Sequence, residues 1–187
     1  MTLSMNSIVL LMIHYFGDSV KTKTKVMKLA YFLGELLKRR DLGFYAHFYG
    51  PYSDKVSNAL SQLVYLGFIN EKCLEFGYDQ QGFERYRYDY SINKEGKKVV
   101  RLAEGQCPKE AERIKEAGAK LKDAAGDMDY MALSYAAKTY FLLKAAEKTM
   151  TSDEIRRKAE AFSWRLVKHD VDRSVQFLKG LSLVKTS

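Results

Sequence analysis

Hydrophobic residues along this chain switch between the 3.6-residue period of a helix and the 2-residue period of a strand, and the switches divide it into elements. Ile8–Phe16 is a short apolar run that predicts a first helix, ended by Gly17-Asp18-Ser19. In the run up to Arg40, Val26, Leu29, Ala30, Leu33 and Leu37 recur at helical spacing, Met27, Tyr31 and Leu36 widen the face, and Thr24 stands where an N-cap belongs. This second helix is expected to be central and mostly buried. Over Phe44–Tyr49 the period becomes two, with Phe44, Ala46 and Phe48 alternating against Tyr45, His47 and Tyr49, so an extended aromatic strand is predicted before Gly50-Pro51 breaks it. Ser53 then caps a helix whose Val56, Leu60, Leu63 and Val64 form one stripe, leaving Lys55, Asn58, Gln62 and Tyr65 on another face.

Phe68 and Ile69 begin a strand that ends near Cys73–Phe76, and Gly77–Gly82 carries turn chemistry. The strand RYRYDYSI returns from it. There Tyr86, Tyr88, Tyr90 and Ile92 share one face, expected to look inward, while Arg85, Arg87, Asp89 and Ser91 share the other. Asn93 caps the next helix. Residues 106–128 are rich in Ala, Lys and Glu, with Pro108 at a helix start and a weak stripe of Ala111, Ile114, Leu121 and Ala125, which predicts a connecting helix with a largely solvated face. Met131–Ala146 is a more apolar helix. Thr151-x-x-Glu154 is a capping box, Ser163–Asp170 is a break, and a last helix ends in a short strand-like tail.

That last helix echoes the third at an offset of 115: Val56 with Val171, Leu60 with Val175, Leu63 with Leu178, Leu66 with Leu181, Phe68 with Leu183 and Ile69 with Val184. The register suggests a second helix-turn-helix unit without a wing. The expected fold class is mainly α with a small β-hairpin (α+β). It comprises a winged helix-turn-helix domain with an extra aromatic strand over 1–105, a connecting helix over 106–128 and a C-terminal helical, HTH-like domain over 129–187.

The runs KVMKLAYFLG, FYAHFYGPYSDKVSNALSQLVYLGFINE and RYRYDYSINKEGKKV resemble the YwgA-like family of uncharacterised bacterial and archaeal winged-helix proteins, over residues 20–104. The joint YSINKEGKK is also similar to the wing-to-helix joint of PadR- and MarR-type transcriptional regulators, which usually carry threonine where Asn93 stands. The extra aromatic segment is not typical of those regulators. A more distant similarity to the antitoxin-like Panacea domain rests on KLAYFLG and the GP turn.

Charge sharpens this picture. Lys and Arg number 31 against 23 Asp and Glu, a net +8, and Lys21–Arg40 holds seven cations against Glu35 alone. Such clustering favours an acidic partner, duplex DNA above all. In a winged helix the third helix faces bases, which makes Lys55, Asn58, Ser61 and Gln62 the base candidates. Arg85, Arg87, Lys94, Lys97 and Lys98 around the wing, with Lys21, Lys23 and Lys25 near a helix start, are the phosphate candidates. Reading two half-sites implies a homodimer.

Enzyme chemistry has little to stand on. His14, His47 and His169 lie in unrelated segments without metal-ligand spacing, and there is no GxGxxG, GxxxxGK[ST] or GxSxG. No catalytic residue, metal or cofactor is expected. His47 is expected to pack on its aromatic strand and Trp164 to plug a small core. The longest apolar runs fall short of the roughly 20 residues that span a bilayer, and Cys73 and Cys107 form no CxxC pair, which suits reduced thiols in a cytoplasm. The expected function is non-enzymatic DNA binding with a regulatory role; the alternative is a protein-interaction adaptor or antitoxin-like module on the same scaffold.

Overall fold

Short-range chemistry sets most element boundaries. The computed structural model describes residues 2–78, 84–146 and 149–184. The Ser53 hydroxyl accepts from Val56 N, the Asn93 side chain accepts from the amides of Glu95 and Gly96, and Thr151 and Glu154 close a reciprocal capping box. Pro108 sits in the first turn of its helix, where its missing N–H costs nothing. The expected cap at Thr24 is displaced: Thr22 accepts from Lys25 N and opens the helix two residues earlier.

In chain order the elements are α1 (Met5–Tyr15), β1 (Ser19–Lys21), α2 (Lys23–Leu37), a 3-10 turn (Arg40–Leu42), α3 (Asp54–Tyr65), β2 (Ile69–Tyr78), β3 (Glu84–Ile92), α4 (Lys94–Gln106), α5 (Pro108–Ala125), α6 (Tyr130–Ala146), α7 (Ser152–Glu160) and α8 (Lys168–Gly180). The three strands form one antiparallel sheet in the order β1-β3-β2. The fold is mainly α with a small β-hairpin. Helix, short strand, two helices and a hairpin, with the first strand paired to the last, is the connectivity of a winged helix-turn-helix.

The aromatic strand expected over 44–49 does not form. Tyr45 and Tyr52 make a single bridge through both amides, and a turn from His47 to Gly50 closes the loop between them. The third strand of the sheet is β1, three residues whose alternation is too short to stand out. Tyrosine orientation in β3 also differs from expectation. Tyr90 is buried with Ile69, Ile92 and Val20, but Tyr86 and Tyr88 on the same face are exposed. The hairpin is longer than the core beneath it, so only its base is covered.

One cluster of buried side chains draws on α1 through α6 and on α8, and it crosses both boundaries drawn from the sequence. Ala111, Ile114, Leu121 and Ala125 of α5 belong to it, packed against α1 and α2, so the connecting helix is a structural wall. A smaller cluster around Trp164 joins Leu142, Ile155, Ala159, Leu166 and Val171. The helix ends of α3 and α8 repeat at the offset of 115. Leu66 N, Gly67 N and Phe68 N bond to Gln62 O, Val64 O and Leu63 O, as Leu181 N, Ser182 N and Leu183 N bond to Phe177 O, Lys179 O and Leu178 O. Gly67 and Ser182 both take positive φ, as this left-handed helix stop requires. The likeness stops at Leu66, which is exposed where Leu181 is buried. Most of the predicted 77–82 turn and the end of the strand-like tail lie outside the described residues.

Candidate nucleic-acid interface

Strand β1 builds the site. By pairing Lys21 with Asp89 it carries the chain from α1 to the foot of β3, so the first turn of α2 starts beside the wing. Asp89 consolidates the joint by accepting from Thr22 N at 3.2 Å and from Arg87 Nη2 at 3.0 Å. The result is a groove of about 410 Å³ lined by Thr22, Lys23 and Thr24 of the helix start, by Phe76 and Arg85–Tyr88 of the wing, and by Tyr130. The Arg87 guanidinium lies 4.9 Å from the Phe76 ring centre, a cation–π contact between two residues of the groove wall.

The eight phosphate candidates divide evenly. Among the described residues Lys21, Lys23, Arg85 and Lys94 form no ion pair or hydrogen bond through their side chains, and Lys23 and Arg85 face the same groove. The other four are engaged within the fold. Arg87 is paired with Asp89, Lys98 with Glu95, and Lys97 with Asp18 at 2.9 Å, while Lys25 donates to Met128 O at 3.1 Å. Burial pushes the Asp18 carboxyl up, but its bonds to Lys97 and His14 more than offset this and hold it below the usual carboxylate range.

All four base candidates on α3 are exposed. Lys55 donates to Asp41 O at 2.9 Å and Gln62 accepts from Asn6 Nδ2 at 3.1 Å, whereas the Asn58 and Ser61 side chains form no hydrogen bond among the described residues. Asp54 at the start of the helix accepts from the Tyr45 hydroxyl. At the far end Tyr65 is 90% exposed and Leu66 adjoins it.

A second concavity lies where the aromatic loop meets the C-terminal helices. Three long-range donors capture alternate loop carbonyls: Trp164 Nε1 to His47 O at 2.8 Å, Ser134 Oγ to Tyr49 O at 3.1 Å, and Lys28 Nζ to Pro51 O at 2.7 Å. Gly50, at φ +96°, passes so close to Lys138 that a Cβ there would sit 3.0 Å from its Cγ. His47 contributes its backbone to this arrangement, and its exposed ring lies 5.1 Å from that of Tyr52, tilted by 35°. Lys28 is only 2% exposed, and burial beside Lys138 pulls its ammonium down to about 7. Beyond the pinned loop opens a cavity of about 800 Å³ walled by Phe48, Tyr49, Tyr135, Lys138 and Trp164.

Sequence reasoning missed Phe76, Tyr130 and the role of Thr22 in the wing groove, because only the β1–β3 pairing brings them together. It also missed Lys28, whose place on the apolar face of α2 was the available signal. His14 is bound to Asp18 at 2.6 Å, and among the described residues no group of three His, Cys, Asp or Glu stands close enough to hold a metal. No described helix is long and apolar enough to cross a membrane. Compared with known proteins, the chain matches no family model and no curated relative.

Proposed function

We propose that the chain is a non-enzymatic, cytoplasmic winged-helix regulator that binds duplex DNA, with the wing and the start of α2 on phosphate and the exposed face of α3 toward the bases. The observation that carries this reading is the groove lined by Lys23 and Arg85, neither of which forms an ion pair among the described residues, together with Arg87. Cations left unpaired at the junction of wing and helix start suit the backbone of a duplex, since phosphate contacts supply most non-specific affinity. Asn58 and Ser61, whose side chains form no hydrogen bond among the described residues, would meet base edges, with Lys55 and Gln62 exchanging their internal bonds on docking. The resemblance of residues 20–104 to YwgA-like proteins supports the scaffold of this reading, and a homodimer would present two such faces.

Fluorescence anisotropy on a labelled duplex at several salt concentrations tests it. Affinity should fall steeply with salt, and the double variant Lys23→Gln/Arg85→Gln should lower the log–log slope by about 2. No binding at low salt sinks the proposal. A second reading, docking of a protein partner on the same scaffold, is favoured by one feature: Tyr65 projects almost fully into solvent next to Leu66.

A further inference from the structure

The cavity beyond the aromatic loop carries an inference that is independent of DNA binding, because none of its walls belongs to the wing or α3. Its volume of about 800 Å³ lies in the range of small-ligand sites. Its walls combine planar rings with cations, Trp164, Phe48, Tyr49 and Tyr135 standing with Lys138 and Arg165. Glu160 is the carboxylate on the wall. Arg156 is already engaged, donating to Leu166 O and to Asp153.

Lys138 has no ion-pair partner among the described residues, and its Nζ lies 5.8 Å from the Trp164 ring centre. Behind it the buried Lys28 likewise has no carboxylate partner among the described residues, its Nζ donating to Pro51 O. Two neighbouring cations withdrawn from water without a counter-charge are costly, and an anion beside Lys138 would relieve that cost. Burial also lowers the Lys138 pKa, as expected of a cation that lacks its counter-ion. Shape is preformed as well. The captured carbonyls of His47, Tyr49 and Pro51 fix the loop, so Phe48 and Tyr49, 63% and 66% exposed, stand at the mouth as a rigid aromatic lip.

We propose that this cavity is a binding site for a small organic anion with a planar apolar body, its acidic group on Lys138 and Arg165 and its rings against Phe48, Tyr49 and Tyr135, with the buried Trp164 as the floor behind them. Trp164 is the single tryptophan of the chain, so its emission reports on this wall alone.

The probe is 8-anilinonaphthalene-1-sulfonate, compared with N-phenyl-1-naphthylamine, which has the same rings and no charge. Expected are saturable one-site quenching of Trp164 by the sulfonate and binding of the neutral amine weaker by about tenfold. Lys138→Met should abolish that preference with the circular dichroism spectrum unchanged. Should Lys138→Met perturb the fold, Arg165→Gln, at an exposed position, should still weaken the sulfonate several-fold and leave the amine unaffected. Equal binding of the two probes to the wild type, unsaturable binding, or a preference that survives both variants overturns the proposal. Displacement of the probe by hexaglutamate but not by naphthalene-1-sulfonate would assign the cavity to an acidic peptide and overturn the small-ligand inference.

Discussion

The wing and the aromatic loop are built from similar residues and satisfy their backbones in opposite ways. In β3 the amides and carbonyls pair with β2 and, at the base, with β1, so tyrosines on one face pass from buried at Tyr90 to exposed at Tyr88 and Tyr86 while the backbone stays regular. In the loop from Phe44 to Tyr52 none of the described strands pairs with the backbone. One bridge and one turn close it, and its carbonyls at 47, 49 and 51 are taken by a tryptophan, a serine and a lysine from distant elements. A regular ladder tolerates changes in side chains, whereas a loop held by three individual donors depends on each of them.

That difference should be measurable. The largest effect is expected at Trp164, which fills the smaller core and anchors His47 O: Trp164→Ala should lower unfolding stability by about 3–5 kcal/mol in urea titrations followed by circular dichroism. A loss under 1 kcal/mol would mean that the loop is not held this way.

Next comes Lys28. Its folded pKa, about 7, lies below the ordinary 10.5, so across this window the unfolded chain binds the extra proton and stability rises as pH rises. Between pH 7 and 9 the wild type should gain about 2 kcal/mol relative to Lys28→Met. Parallel stability curves for the two proteins would contradict the buried cation.

The smallest effects separate the two regions directly. Ser134→Ala leaves Tyr49 O without its donor and should cost about 1 kcal/mol, while Tyr88→Ala on the projecting wing should change stability by less than about 0.5 kcal/mol. Reversal of that order would show that the wing, not the loop, is the more dependent region.

Much of the fold was legible in local chemistry. Ser53, Asn93, Thr151 and Pro108 act within three residues of themselves, and the apolar stripe of α3 needed only its spacing. Even the weak stripe of α5 marked the residues that are buried. The candidate site was legible in part. Lys23 and Arg85 were recognisable as cations, but their shared groove depends on a three-residue strand joining segments far apart in sequence.

The sequence by itself determined the helices, the caps at Ser53, Asn93 and Thr151, the hairpin and the excess of positive charge, because these follow from interactions within a turn or two of the chain or from composition. Tertiary structure alone decided that one alternating aromatic stretch is a strand and the other a pinned loop. Alternation states which side chains share a face, but a strand also needs a neighbouring backbone, and a buried lysine needs an acceptor. Both are supplied by residues distant in sequence.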